Sequence, residues 1–329
     1  MSNVLITGGA GFIGYHFSKK LSDNNFSTII LDNLDDYYDI HYKLNRLSFL
    51  GVDTSKIAYG NEIISKTYPK LKFIKGDVND QELIEDIFSK NEIEYVVHMA
   101  ARSGARGSFS NPHEYIKDNI EGTANILHAC SKHNIKHFVF TSSSSVYGSK
   151  NGENIESAKL KPLSLYGASK LSAEIISETY SKSKDVPVTV CRLFSVYGPL
   201  GRPDGFIFKS VESIKNDISI ELFNSGEMWR DFIYIKDVTE ILFRILLSKP
   251  ENNFKVYDIG TGVATKITDI IQILERILGK KAKIRNVSGD KSENTITKVH
   301  KELMFKELDI QKMTDIERNL RDFLKEEKF

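Results

Sequence analysis

Short apolar runs alternate along the chain with segments whose apolar residues recur at helical spacing. Asn3 to Thr7 reads as a buried strand, and a helical pattern follows through Phe17 and Leu21. Thr28 to Leu31 is a second strand. Leu71 to Lys75 is a strand, Gln81 to Ser89 a helix, Tyr95 to Met99 a strand, Tyr115 to Ser131 a helix and His137 to Thr141 a strand. Leu171, Ile175 and Ile176 continue a helix that starts near Pro162 and Ser164, and Val188 to Leu193 is the next strand. Beyond Leu193 the alternation loosens. Tyr234 to Ser248 is mostly helical, Val256 to Ile259 is a late strand, and Ile267 to Leu278 and Ile316 to Phe323 are amphipathic helices.

Strands alternating with helices predict an α/β fold: a doubly wound parallel sheet with right-handed crossovers and helices on both faces. The less regular remainder predicts a smaller C-terminal substrate-binding domain interleaved with the first. The expected division is 1–193 plus roughly 233–262 for the sheet domain, and roughly 194–232 with 263–329 for the smaller one. Ligands of such sheets bind beyond the carboxyl ends of the strands. Gly8 to Gly14, Asp32, Asp77, Ala100 and Ser142 to Ser145 all fall at predicted strand ends, so they are expected to line one crevice. The long connection from Asn33 to Lys70 holds Asp35, Asp36, Tyr37, Tyr38 and a helical-looking stretch, Tyr42 to Phe49. Pattern alone gives it no role.

The first strand runs into Gly8-Gly9-Ala10-Gly11-Phe12-Ile13-Gly14. Glycines at 8, 11 and 14 allow a tight turn, a close approach of backbone to a pyrophosphate, and close packing of helix on strand. Strand before and helix after meet the context that this Rossmann-type motif requires. The second strand ends in Asp32, about 20 residues beyond the turn, where a carboxylate suits the ribose hydroxyls of NAD and repels the 2′-phosphate of NADP.

Tyr166 and Lys170 lie four residues apart, on one helix face. An ammonium near the phenol is expected to lower its pKa and make Tyr166 a base. Such spacing is common on surfaces. The serine run Thr141 to Ser145 adds to it, because a hydroxyl beyond a strand end can bond both a substrate hydroxyl and the tyrosine, relaying a proton.

The 329 residues carry a net charge of +1, which provides no footprint for nucleic acid or an anionic membrane. Cys130 and Cys191, the two cysteines, sit in apolar runs and read as reduced core residues. No apolar run approaches the roughly 20 residues that span a bilayer, and no secretory signal is visible, so a soluble cytoplasmic protein is expected. No metal is expected.

At this point the chain resembles an extended short-chain dehydrogenase/reductase from Val4 to about Asp290. Within that superfamily it is similar to nucleotide-sugar epimerases, most of all to UDP-glucuronate 4-epimerases. The resemblance is carried by Asp32-Asn33-Leu34-Asp35-Asp36-Tyr37-Tyr38-Asp39, Asn111 to Tyr115 and Ser142 to Gly148, and by Arg192 to Pro199, Gly201 to Asp204 and Trp229 to Phe232. It implies Ser143 as catalytic serine, Tyr166 as base and Lys170 as its partner. Gly8, Gly11, Phe12, Ile13, Gly14, Asp32, Asn33, Asp77, Val78, Ala100 and Lys170 would hold NAD. Ser144, Ser195, Arg202, Arg230 and Asp290 would hold the UDP-sugar, with Arg230 on phosphate and Arg202 on the sugar. A homodimer packed through the Tyr115 and Tyr166 helices is implied as well.

Two departures stand out. Arg102-Ser103-Gly104-Ala105-Arg106 replaces the family's Gln-Ala-Gly-Val-Arg, and Val287 stands where related galactose epimerases carry an arginine. The expected function is interconversion of UDP-glucuronate and UDP-galacturonate through a 4-keto intermediate. Alternatives are a UDP-glucose/UDP-galactose or UDP-N-acetylhexosamine 4-epimerase, a 4,6-dehydratase or decarboxylase of the same fold, and a non-catalytic dinucleotide-binding scaffold. Ser144 and Ser145 occupy places where dehydratases carry acidic residues, which argues against dehydration.

Overall fold

Runs rich in β-branched and aromatic residues form the strands, each bounded by turn residues. The first seven are β1 (Asn3–Thr7), β2 (Ser27–Asp32), β3 (Glu62–Ile64), β4 (Leu71–Lys75), β5 (Tyr95–His98), β6 (His137–Ser143) and β7 (Val188–Leu193). After them come β8 (Ser195–Tyr197), β9 (Ser219–Phe223), β10 (Trp229–Tyr234), β11 (Phe254–Ile259), β12 (Ala264–Lys266), β13 (Lys283–Val287) and β14 (Ile296–Thr297). The structure, a computed structural model, describes residues 3–148, 160–248, 250–288, 295–299, 302–310 and 313–326.

An eight-stranded sheet runs in the order β11-β7-β6-β5-β1-β2-β4-β3. From β1 the chain steps outward to β2 and β4, then returns to β5 and steps out on the other side. The strand order reverses beside β1, where β5 is its parallel neighbour. A crevice opens there, beyond the strands' carboxyl ends. Every pairing in this sheet is parallel except β3 on β4, which is antiparallel. The apolar pattern did not predict β3: it is a three-residue edge strand with one buried side chain, Ile63, too short for periodicity to register.

Helix α1 (Phe12–Asp23) packs with α8 (Ile235–Leu247) on one face of the sheet. Helices α3 (Gln81–Asn91), α5 (Gly122–Lys132) and α6 (Leu165–Lys184) cover the other. Their apolar stripes meet Val4 and Val139 on the first side and Leu5 and Phe138 on the second. Cys130 and Cys191 are free thiols inside these cores.

The helix expected over Tyr115 to Ser131 is interrupted. Helix α4 (Pro112–Ile116) leads into a π turn at Lys117–Glu121 before α5 begins. The widened turn holds the fully buried Asn119, whose amide bonds the loop after β5. The Asn33 to Lys70 connection is likewise structured. It contains α2 (His41–Phe49) and β3, and its apolar residues close a core of their own around Tyr15, Leu47 and Phe73.

Past β7, strands β8, β10, β12 and β14 form a second sheet, and β9 with β13 a ribbon. Helices α7 (Phe206–Lys215) and α9 (Ile267–Leu278) and the helix Ile316–Glu326 contribute to a separate core around Phe208, Phe232 and Leu274. Strand β11 leaves this region to join the edge of the main sheet beside β7, so the chain crosses between the two parts more than once. The fully buried Asp231 on β10 accepts hydrogen bonds from the Thr261 N–H (2.7 Å) and Oγ1 (2.7 Å) and the Gly262 N–H (2.8 Å). That carboxylate ties β10 to the segment leaving β11. Among the described residues no helix is long and apolar enough to cross a membrane.

Candidate active site

Gly8 has φ +73°, and a Cβ there would lie 2.7 Å from the Ala100 nitrogen. A Cβ on Gly14 would run into the Gly8 carbonyl oxygen. Only glycine fits either position, and the turn is thereby held against β5. Gly11 caps α1 with no side-chain hydrogen bond, so the positive end of the helix opens toward the strand ends. A backbone cradle with this shape and polarity fits a dinucleotide pyrophosphate.

Asp32, at the end of β2, is buried. Its carboxylate accepts the Ala10 N–H (3.0 Å) and the Leu34 N–H (2.9 Å). It is therefore a turn residue, and it also lines the cleft. Asn33 donates to Asp77 (3.2 Å), which also accepts from the backbone and side chain of Asn79. Burial pushes the Asp77 carboxyl up, but these bonds outweigh it and hold the group below the usual carboxylate range.

The cleft brings together Gly8, Gly11, Phe12, Ile13, Gly14, Asp32, Asn33, Val78, Ala100, Ser143, Tyr166, Lys170 and Arg202. Asp77 adjoins it through Asn33. Ser144 begins the short 3-10 turn after β6 and does not line it. Ser195 pairs with Phe232 in the second sheet, and Arg230 donates to the carbonyls of Trp229 (3.0 Å) and Thr295 (3.3 Å). Neither reaches the cleft wall. Asp290 lies outside the described residues.

Ser164 caps α6 by accepting the Gly167 N–H (3.1 Å), which starts the helix at Leu165, one residue before Tyr166. Strand alternation sorts the serine run. Ser142 points away and bonds Glu174, which also takes the Arg192 fork. Ser143 lines the cleft beside Tyr166, near enough to draw the phenol's pKa down, and donates to Ser145 Oγ (3.1 Å). Lys170 is buried, with its ammonium 4.3 Å from the Phe140 ring centroid.

The expectation that Lys170 lowers the Tyr166 pKa is not met in this state. Burial pushes the phenol above its ordinary value, while the nearby Ser143 hydroxyl and the Arg202 charge oppose it. Burial also pulls Lys170 down to about 7, against the Glu174 carboxylate one helical turn on. A lysine this far from water surrenders much of the charge that would have acted on its neighbour.

Several residues that sequence pattern left without a role line the same cleft. Arg102 faces three carboxylates: Glu114 (3.0 Å), Asp118 (3.5 Å) and Asp35 (3.8 Å). Its backbone is fixed by Asn119, which also donates to Ser169 (2.8 Å) on α6. Lys43 on α2 is buried and pairs with Asp35, and the charges of Asp32 and Asp35 hold its pKa up against burial. Tyr37 lies between two guanidiniums, each carbon 5.7 Å from its ring centroid: Arg102 and Arg202. The family's Asp-Tyr-Tyr pattern in the connection was the available signal, but it names residue types and not partners.

Arg202 donates from Nε (2.9 Å) and Nη2 to Asp204. That pairing uses one edge of the guanidinium. Its other edge retains donors that suit a planar anion.

Residues 4–260 match the NAD dependent epimerase/dehydratase family. The Staphylococcus aureus protein CapI is 33% identical over 98% of this chain and 97% of its own length. A UDP-glucuronate 4-epimerase of Thermodesulfobacterium geofontis is 35% identical over 90% of this chain and 87% of its own. The crystal structure of UDP-glucuronic acid 4-epimerase from Bacillus cereus, in complex with UDP-glucuronic acid and NAD, superposes with a TM-score of 0.88 at 28% identity, covering 98% of each chain. The cofactor of this family is NAD. The fold is the Rossmann-type α/β architecture of that structure, and the chain belongs to the NAD dependent epimerase/dehydratase family.

Proposed function

We propose that the protein is a UDP-sugar 4-epimerase that interconverts UDP-glucuronate and UDP-galacturonate. The observation that carries the uronate assignment is Arg202. Its guanidinium lies on the cleft wall beside Tyr37, close enough to Tyr166 to act on its pKa, with one edge already held by Asp204. A carboxylate at C5, next to the reacting C4, would meet the remaining edge. The curated epimerase relative and the Bacillus cereus enzyme both act on UDP-glucuronate by name, which supports the same reading.

In this mechanism Tyr166 takes the proton of the C4 hydroxyl and Ser143 steadies both oxygens. Bound NAD supplies a reversible hydride acceptor at C4. Lys170, one helical turn on, provides an ammonium beside Tyr166 in the fraction that is protonated. Arg202 fixes the plane of the sugar carboxylate. The glycine cradle, with Phe12, Ile13, Asp32, Asn33, Asp77, Val78 and Ala100, holds the dinucleotide. The UDP half would lie beyond this cleft wall, where the family resemblance assigns it Ser144, Ser195, Arg230 and Asp290, with Arg230 on phosphate. Configuration at C4 inverts because the 4-keto sugar presents its other face before reduction.

The protein acts as a cytoplasmic homodimer. Phe109 (65% exposed), in the turn before α4, with Ile116 on α4 (45%) and Ile175 on α6 (58%), presents apolar surface where the dimer would pack.

The test is NMR of products after separate incubation with UDP-glucuronate, UDP-glucose and UDP-N-acetylglucosamine. UDP-galacturonate is expected as the main product series. Preferential turnover of either neutral sugar would replace the uronate reading, and light scattering at the monomer mass would remove the dimer.

A further inference from the structure

The loop that carries Arg202 is anchored by the sheet domain. Three consecutive carbonyls, Pro199, Leu200 and Gly201, each accept a hydrogen bond from the sheet domain. His16 Nε2 reaches Pro199 O (2.8 Å), Arg46 Nε reaches Leu200 O (3.0 Å), and Arg46 Nη2 reaches Gly201 O (2.8 Å). The third nitrogen of Arg46, Nη1, donates to Ala10 O (3.2 Å) in the glycine-rich turn and to Tyr38 Oη (2.7 Å). Arg46 is fully buried on α2. One guanidinium therefore joins the cofactor turn, the 33–70 connection and the Arg202 loop.

Leu200 sits at φ +56°, a left-handed conformation unfavourable for a branched side chain. Such a conformation persists where its surroundings over-determine it, and here the donors to its carbonyl and to both neighbouring carbonyls do so. The next side chain along, Arg202, has Tyr37 of the same connection at its face. Burial holds His16 down to about 4, so the ring is neutral and Nε2 carries the proton that it donates.

We propose that Arg46 and His16 are positioning residues that clamp the Pro199–Gly201 backbone and thereby set Arg202 against the sugar carboxylate. The inference rests on the uronate reading of Arg202. It gives the 33–70 connection a function: α2 sets the geometry of the substrate grip.

The clamp matters because oxidation at C4 makes the uronate a β-keto acid. If its carboxylate swings free, the C5–C6 bond can break. The carboxyl carbon leaves as carbon dioxide, and the bonding pair passes into the C4 enolate, which takes a proton from water to become a 4-keto pentose. The two electrons removed from C4 stay on the cofactor as NADH.

Two measurements on the NAD-loaded full-length protein test this, using Arg46→Met, Arg46→Lys and His16→Leu. Lysine keeps the charge but cannot span two carbonyls, and His16 is only half-buried, so two milder variants stand beside the severe one. Amide hydrogen exchange across 200–205 is expected to rise at least ~10-fold in the Arg46 variants and less in His16→Leu, with β6 unchanged. With UDP-glucuronate, the ratio of 4-keto pentose plus NADH to epimer is expected to rise at least ~10-fold over wild type.

Wild-type exchange of 200–205 in Arg46→Lys and His16→Leu overturns the clamp. A loosened loop with an unchanged product ratio overturns its link to Arg202. Wild-type protein inert on UDP-glucuronate overturns the uronate reading instead, and the exchange measurement then decides the clamp by itself.

Discussion

Lys170 should make the NAD-free protein more stable as the pH rises from 7 to 8.5. In the unfolded chain the ammonium has its ordinary pKa of 10.5, whereas in the fold burial pulls it to about 7. Below pH 7 both states hold the proton, and the group contributes no slope. Between 7 and 10.5 the unfolded chain binds a proton that the folded protein has shed. Stability therefore rises with pH through that window. Each pKa unit corresponds to about 1.4 kcal/mol, so integrating from pH 7 to 8.5 gives a gain on the order of 1 to 2 kcal/mol. For a chain of this length that is roughly 2 °C in Tm.

The assay compares wild type with Lys170→Met, both stripped of NAD, by urea or thermal unfolding at the two pH values. The difference between the two slopes isolates the lysine, since other titrations are shared. The imidazoles of His16, His98 and His137 lie at about 4, 3 and 4, so they are neutral in the fold throughout and leave the comparison clean. Identical slopes in the two proteins would refute the argument. They would mean that Lys170 keeps its charge in the fold, through water or a rearranged Glu174.

The other predictions concern function. Tyr166→Phe removes the base and keeps the ring, so turnover should fall at least ~100-fold while NAD still binds, as measured by product NMR and cofactor fluorescence. Asp32→Ala should weaken NAD and leave UDP affinity unchanged in calorimetry, because its carboxylate holds Ala10 of the glycine-rich turn and a carboxylate at this strand end suits a ribose. Gly14→Ala should abolish stable NAD retention on gel filtration, since the new methyl meets the Gly8 carbonyl. Arg202→Ala should cost roughly 10- to 100-fold in UDP-glucuronate kcat/KM and little with any neutral sugar, from the loss of charged hydrogen bonds.

The parts of this protein legible in the sequence are those whose chemistry is written in residue type and spacing. The strand-turn-helix at Asn3 to Asp23 needs glycines where a Cβ cannot go, and the sequence displays them. Alternating apolar runs reveal β1, β2, β4, β5, β6 and β7 because parallel strands are buried on both faces. The Tyr166 to Lys170 spacing and the Ser164 cap placed α6 correctly. The charge states within the site were not legible. Proximity of an ammonium to a phenol argues for a lowered tyrosine pKa, yet the outcome depends on how far both are from water, and spacing carries no measure of burial.

Illegible for a different reason is the 33–70 connection. Arg46 makes three of its four hydrogen bonds to main-chain carbonyls, of Ala10, Leu200 and Gly201. Any residue but its own could change at those partner positions without altering the acceptor, so nothing in the partner sequence announces the contact. The same holds for His16 with Pro199 and for Asn119 with Arg102. Side chains that recognise backbone are the ones that fix where loops sit, and in this fold they lie between the cofactor turn and the loop bearing Arg202. A reading by motif therefore finds the groups that would do chemistry and misses the groups that would aim them. Only the three-dimensional arrangement shows that Arg46 on α2, 155 residues earlier in the chain than Gly201, holds the loop that bears Arg202.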